Sequence, residues 1–564
     1  MQRLKKIFFA LTRRERVVFV VALAVAVVSF VVTMSIVIAE VTTTVPAAGG
    51  EYAEGMVGQP EYVNPVTATS ETDLSLVKLI YSNIYDIADS VTESPDGRTW
   101  TVRLKDNLTW QDGQKLTSDD VIFTVQSIQN PDAQSPLYAS WQGVTASRVS
   151  ELEVQFTLTS PYAFFSDNLQ NLYILPKHLF ADVPPGNWRL SEYSLKPIGS
   201  GPYEFTSYDQ QSDGVITAYH LQAWNNYWNA KPLISNLDLD FFANTDDLIK
   251  SFNDGTIDGM GGLTTDDLAN IDHPYDLFDW RTPTYYAVFF NESQNIALQD
   301  ANVREALSEA VDRDALVSQV LNGEGKPEYG PIPEDAPYFT PTVTTTSLDD
   351  ASATLTADGW TFPVFSATST ATSTTTNAVP DGTFRAKTIA GTSVPLVVNL
   401  TVPDIDFLVQ TADILQNTWE GIGVQVNVAT DTPENIASNE IQNRNYESLL
   451  FGNVLGPSSD LYAFWDSSQR FYPGLNLAIY SNPQVDRLVE TAREELGDAT
   501  RTAEFAAAEQ DIVANNPAIF LYSPDYLYVT NKNVQGITPD FIPDPSDRFR
   551  EMTTWYLDTA RVLK

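Results

Sequence analysis

The chain has 564 residues and a mass of 62.4 kDa, with 43% hydrophobic and 11% aromatic residues, which excludes a small module and a disordered chain and predicts several domains or one large two-lobed body. It carries 73 acidic against 33 basic side chains, and a formal charge of −40 repels phosphate backbones, so nucleic acid is not an expected partner. Cysteine is absent, which removes disulfides, thiol nucleophiles, Cys-ligated zinc and lipid attachment through an N-terminal Cys.

In chain order, residues 1–16 hold Arg3, Lys5, Lys6, Arg13, Arg14 and Arg16 against the single acid Glu15, and the 23 residues from Val17 to Ala39 carry no charge. That run is long enough to cross a hydrocarbon core of about 30 Å. The positive-inside bias keeps the basic flank in the cytoplasm and sends everything after Glu40 outward, which predicts a single-pass protein of the cell membrane with an extracytoplasmic body. A cleaved secretory signal is the competing reading, but its apolar core is normally about 7–15 residues, and Pro46-Ala47-Ala48 is a poor cleavage site. Residues 40–57, with Thr42 to Thr44, Pro46 and Gly49-Gly50, read as a flexible tether. Removing the six bases and one acid of the first 39 residues leaves 27 bases and 72 acids, a body of formal charge −45.

Farther along, Asp96-Gly97 predicts a hairpin turn feeding the alternation Trp100, Val102, Leu104. Thr117-Ser118-Asp119-Asp120 reads as a helix N-cap ahead of Val121, Ile122, Val125 and Ile128. Asp300 is expected to cap one helix with an inner face of Val303, Leu307, Ala310, Val317 and Leu321, stopped by Gly323. Ser366 to Thr376, built wholly of Ser, Thr and Ala, reads as a surface loop. The run Leu396-Val397-Val398, a helix bearing Phe407, Leu408, Ile414, Leu415 and Trp419, and the alternation Val424, Val426, Val428 form a strand–helix–strand crossover, which implies a parallel pair and an α/β lobe.

Signatures of catalysis are missing: the sequence has no GxSxG elbow, Walker A loop, EF-hand ladder or HExxH pair. The three histidines, His178, His220 and His273, read as surface or loop residues, and Asp119-Asp120, Asp246-Asp247 and Asp266-Asp267 as caps or solvated turns. No catalytic residue, metal ligand or cofactor is assigned.

Several blocks in a fixed order carry a resemblance. They are Tyr62-Val63-Asn64-Pro65 with Thr69-Ser70, then Ser94 to Leu104, Leu108 to Gly113 and Thr117 to Val121. Gly199-Ser200-Gly201-Pro202-Tyr203, Val303 to Leu307 with Ala310 to Arg313, Gly421 to Val424, Trp465 to Ser468 and Asn531 to Gly536 follow. In these the chain resembles the family 5 solute-binding proteins of ABC importers, which include oligopeptide-, dipeptide- and nickel-binding proteins. The resemblance implies an α/β fold of the two-lobed, periplasmic-binding-protein-like type II class with an extra subdomain, and the apolar run places a transmembrane helix at 17–39 before it. Lobe I is expected over 58–300 and 515–564, with the subdomain at about 88–195, and lobe II over 301–514. Family members commonly use a lipidated Cys; the apolar helix would serve the same purpose here.

The resemblance also implies a function without chemistry: a monomeric receptor that closes its lobes over a peptide or peptide-like solute and delivers it to ABC permease subunits. The same fold around an oligosaccharide or another non-peptide solute is the alternative, and an exported acidic hydrolase is a third. The implied ligand contacts are Thr69 and Ser70 on lobe I, the strand residues Leu450, Phe451, Gly452 and Asn453, and then Asp460 and Tyr522. In peptide-binding members an Asp at the end of that strand accepts the ligand's amino group. Here Asn453 stands at the matching place, unless the register shifts and Asp460 supplies the charge.

Overall fold

The computed structural model describes residues 12–334, 336–341, 346–363 and 383–563, so the Ser/Thr/Ala stretch at 366–376 lies outside the described residues. The apolar segment is a helix, Arg13–Val41, whose side chains from Val17 to Ile36 are exposed. It runs directly into the strand Thr42–Ala47, which pairs antiparallel with Asp558–Leu563. The next strand, Glu51–Val57, lies inside the main sheet of lobe I, parallel to Asn236–Phe242 and Gly259–Leu263. Residues 40–57 are therefore not the flexible tether expected: a strand partner at the far end of the chain captures the first half, and the sheet buries the second.

Lobe I is built on a seven-stranded sheet in the spatial order Tyr275–Trp280, Tyr526–Asn531, Gly259–Leu263, Glu51–Val57, Asn236–Phe242, Ile216–Ala223, Tyr203–Gln210. One face packs Leu76, Ile80, Tyr203 and Trp555 into a core shared with the subdomain residues Trp110, Phe156 and Trp188. The other face is covered by Leu248, Ile249 and Phe252 of the helix Thr245–Asn253. The subdomain has a four-stranded antiparallel sheet of Ala88–Glu93, Thr99–Leu104, Glu153–Thr157 and Thr145–Ser150. Its first hairpin turns at Gly97, where φ is 67°. Thr117 and Asp120 form a reciprocal capping box on the helix Ser118–Ile128. The subdomain joins lobe I closely: Gln111 N donates to Gly199 O at 2.9 Å, and Gln111 Nε2 donates to Tyr203 O at 2.7 Å.

Lobe II has a six-stranded sheet in the order Gly325–Pro327, Ala518–Pro524, Thr284–Phe290, Ser448–Val454, Val397–Pro403, Gln425–Asp431. Val397–Pro403, the helix Asp406–Gly421 and Gln425–Asp431 make the expected crossover, with the strands parallel over seven registers. Because side chains alternate faces, Val288 and Phe290 enter one core with Trp419 while Phe289 enters the other with Trp465 and Phe505. The expected single helix after Asp300 is two, Ala301–Glu309 and Arg313–Val320, since Asp312 accepts from Ala315 N at 2.9 Å and caps a second start.

Sheet membership also moves the lobe boundaries. Thr284–Phe290 and Ala518–Pro524 belong to lobe II, so the chain crosses at residues 281–283 and at Asp525 instead of near 300 and 515.

Candidate interlobe binding site

The strand directions define the site. In lobe I the three parallel strands Glu51–Val57, Asn236–Phe242 and Gly259–Leu263 end on one side. Leu263 there pairs with Leu527, just past the crossing. In lobe II the parallel strands Val397–Pro403, Gln425–Asp431 and Ser448–Val454 also end on one side, where Val454 pairs with Thr284, just past the other crossing. Both sets of carboxyl ends therefore face each other across the crossings, the place where open α/β sheets bind ligands.

Contacts close the two ends of this cleft. At the crossings Arg281 pairs with Asp525 at 3.2 Å, and Asn322 of lobe II donates to Thr265 Oγ1 of lobe I at 2.8 Å. Burial pushes the Asp525 carboxyl up to about 6. At the far end the subdomain segment around Tyr162–Phe165 docks on lobe II. Ala163 N donates to Arg493 O at 2.7 Å, and Phe164 is buried among the lobe II residues Tyr338 and Phe505. The Arg493 guanidinium lies 5.0 Å from the ring centre of Tyr162 and 4.3 Å from that of Tyr462, and forms an ion pair with Asp460 at 2.9 Å. Beside this contact lies a cavity of about 630 Å³ lined by Tyr162, Tyr462, Glu490, Arg493 and Glu494 among others.

The residues implied from sequence fall into three groups. Thr69 is exposed, and Ser70 caps the helix Glu71–Ile80, accepting from Asp73 N at 3.1 Å and donating to Asp73 Oδ2 at 2.9 Å. That helix begins beside the carboxyl end of Glu51–Val57, since a Cβ on Gly58 would lie 3.7 Å from Thr72. Phe451 and Gly452 are half-buried on Ser448–Val454, and Gly452 lets the Tyr286 ring lie close. Leu450 and Tyr522, by contrast, belong to the core of lobe II, where the Tyr522 hydroxyl bonds Thr411 Oγ1 at 2.7 Å.

Asn453 also turns inward. It is 3% exposed, and its Nδ2 donates to the Tyr285 hydroxyl at 2.8 Å. Its amide nitrogen is thus engaged within lobe II. Asp460 is half-buried, desolvation pushes its carboxyl above the usual range, and the carboxylate is engaged by Arg493 and by Tyr462 N.

A group on lobe I was not singled out from sequence. Arg548 is 1% exposed and bonds Glu54 Oε1 at 3.0 Å and Glu71 Oε1 at 2.7 Å. Tyr526, the first residue after the second crossing, donates to the same Glu71 oxygen at 3.2 Å. The two bonds to one oxygen hold a part-exposed carboxylate at the cleft edge. The signal was present in part: Glu71 directly follows Ser70.

Comparison with known proteins agrees with this architecture. A family model for bacterial extracellular solute-binding proteins, family 5, matches residues 84–471. The oligopeptide-binding protein AppA of Bacillus subtilis is 25% identical over 526 residues, which covers 87% of this chain and 89% of that protein. The solved structure of AppA with a nonapeptide superposes with a TM-score of 0.70 at 22% identity, covering 91% of this chain and all of that one. NikZ from Campylobacter jejuni, solved with Ni(L-His), gives a TM-score of 0.71 at 22% identity, covering 90% and 99%.

Proposed function

We propose, from the premise that this chain belongs to the family 5 bacterial extracellular solute-binding proteins, that it is a membrane-anchored receptor of an ABC importer. It captures an extended peptide or peptide-like solute between its lobes and delivers it to the permease as a monomer. The observation that carries this reading is the strand Ser448–Val454. One edge is paired with Thr284–Phe290 along all seven residues, while pairing of its other edge to Val397–Pro403 is confined to Ser448 and Leu449. The backbone from Leu450 to Val454 thus reaches the cleft with one edge available, and an extended chain can add to it as a strand, a mode that gives affinity without reading side chains. The inward turn of Leu450 and Asn453 fits a strand that recognises through its backbone.

Binding of this kind needs no reaction. Ligand contacts with both lobes shift the population toward the closed form, and closure presents a joint surface to the transporter. The adjacent acid pairs that a hydrolase reading would use sit in the first turns of helices capped by Thr117, Asn244 and Thr264. A non-peptide solute is the second reading, favoured by the fold-level likeness to a protein solved with Ni(L-His).

Mass spectrometry of small molecules released on denaturing the purified full chain tests both, with a peptide in stoichiometric amount as the expected result. Titration with one peptide, free and N-acetylated, then tests the anchor. With Asn453 in the core and Asp460 paired, acetylation is expected to cost less than tenfold, or 1.4 kcal/mol. A larger loss, reproduced by Asp460→Asn, would restore Asp460 as an amine anchor.

A further inference from the structure

The membrane helix and the last described strand meet. Thr42–Ala47, which continues the helix Arg13–Val41 without a break, pairs with Asp558–Leu563 in six registers from Thr42↔Leu563 to Ala47↔Asp558. Both strands are fixed to lobe I at their base. On one side Gly49 N donates to Leu233 O at 2.8 Å, and Gly50 O accepts from Ser235 N and Asn236 N. On the other, Tyr556 and Gln535 exchange two backbone bonds of 2.9 and 3.0 Å beside the buried Trp555. The ribbon side chains are mostly exposed, so the pair projects from the body instead of packing on it. At its outer end the register sets two apolar side chains, Val562 at 42% and Leu563 at 79% exposure, beside the end of the apolar helix.

We propose that Asp558–Leu563 is part of the membrane attachment: with Thr42–Ala47 it forms a two-stranded stem that holds lobe I off the bilayer and seats Val562 and Leu563 among the lipid headgroups. The inference rests on the reading of Arg13–Val41 as a retained anchor. An isolated two-stranded ribbon is marginal in water. This one has its base closed by the body, which removes most of the loop-closure cost, and its β-branched residues Thr42, Thr43, Thr44, Val45, Thr559 and Val562 suit a pleated ribbon. The exposed Val562 and Leu563 gain by burial at the membrane boundary, where apolar area is favourable. Had the leader been cut after Ala48, Asp558–Leu563 would lose the strand it pairs with.

The cysteine-free sequence makes the test clean. The full chain is reconstituted in phosphatidylethanolamine–phosphatidylglycerol vesicles carrying Thr43→Cys with Val562→Cys, or Thr44→Cys with Arg561→Cys. These are neighbouring register pairs, of which one is the closely spaced kind with Cα atoms about 4.5 Å apart, within disulfide reach. Mild oxidation is expected to close at least one of them, and at least tenfold faster than the off-register pair Thr43→Cys with Thr559→Cys. A fluorophore on Leu563→Cys should be quenched by a lipid-borne quencher, and one on Asp213→Cys, in a lobe I turn at the cleft end, should not. Free thiols in both register pairs of a chain that keeps its N-terminal segment would overturn the stem. A closed ribbon with an unquenched Leu563 probe would overturn the lipid seat. A mature N-terminus at Gly49 would instead remove the anchored reading on which both depend.

Discussion

Trp100 and Asn453 show how a single side chain's role depends on the face it occupies. Trp100 alternates with Val102 and Leu104 on one strand face and packs against Phe165 at a ring-centre distance of 5.6 Å. Trp100→Ala is expected to cost about 3–5 kcal/mol in denaturant unfolding, with ligand affinity per folded molecule unchanged. Asn453→Ala leaves the buried Tyr285 hydroxyl without its amide donor and should cost about 1–3 kcal/mol. The preference between free and acetylated peptides should stay as in the parent, and a changed preference would place Asn453 in the ligand's reach. Glu509 gives a pH dependence. Burial in lobe II pushes its carboxyl up from an ordinary 4.5 to about 8, against the opposing pull of Thr340. Between those values the folded chain keeps a proton that the unfolded chain has released, so this group lowers stability as pH rises from about 4.5 to about 8 and levels off above. Glu509→Gln should flatten that part of the melting-temperature profile; an unchanged slope would show that the carboxyl titrates normally.

At the scale of elements, the segment from Tyr162 to Phe165 is the subdomain's hold on lobe II. Phe164→Ala removes a ring seated between Tyr338 and Phe505. It should speed amide hydrogen exchange in 160–167 and in the helix Pro483–Glu494, while the seven-stranded sheet stays protected. Equal exchange in parent and variant would mean that the docking contributes nothing to closure. Elements whose signals are local were legible in the sequence: the Asp96-Gly97 turn, the Thr117 cap, and the crossover ended by Gly421 and Gly423. Elements defined by a distant partner were not. Thr42 to Ala47 has the composition of a linker and becomes a strand only because Asp558–Leu563 lies beside it. Thr284–Phe290 reads as a buried strand whichever lobe owns it, so the crossing could be placed only by pairing. Within Ser448–Val454, Leu449, Leu450 and Phe451 are apolar on both faces, so no alternation told which way Asn453 points.

For the whole molecule, two single-chain crossings next to each other, at residues 281–283 and at Asp525, make a hinge about which lobe II can turn on lobe I. The structure has the lobes touching at both ends of the cleft, so in solution the ligand-free chain is expected to open. Small-angle scattering should show a smaller radius of gyration at ligand saturation, and an equal radius in both states would point to a rigid binder. The ribbon of Thr42–Ala47 and Asp558–Leu563 adds an electrostatic consequence. Six residues of strand span about 20 Å. At physiological ionic strength charges are screened over about 8 Å. On the proposed membrane stem, a body of formal charge −45 mounted at that height would stand more than two screening lengths from an anionic leaflet and would carry its acidity close to the membrane without being driven away from it.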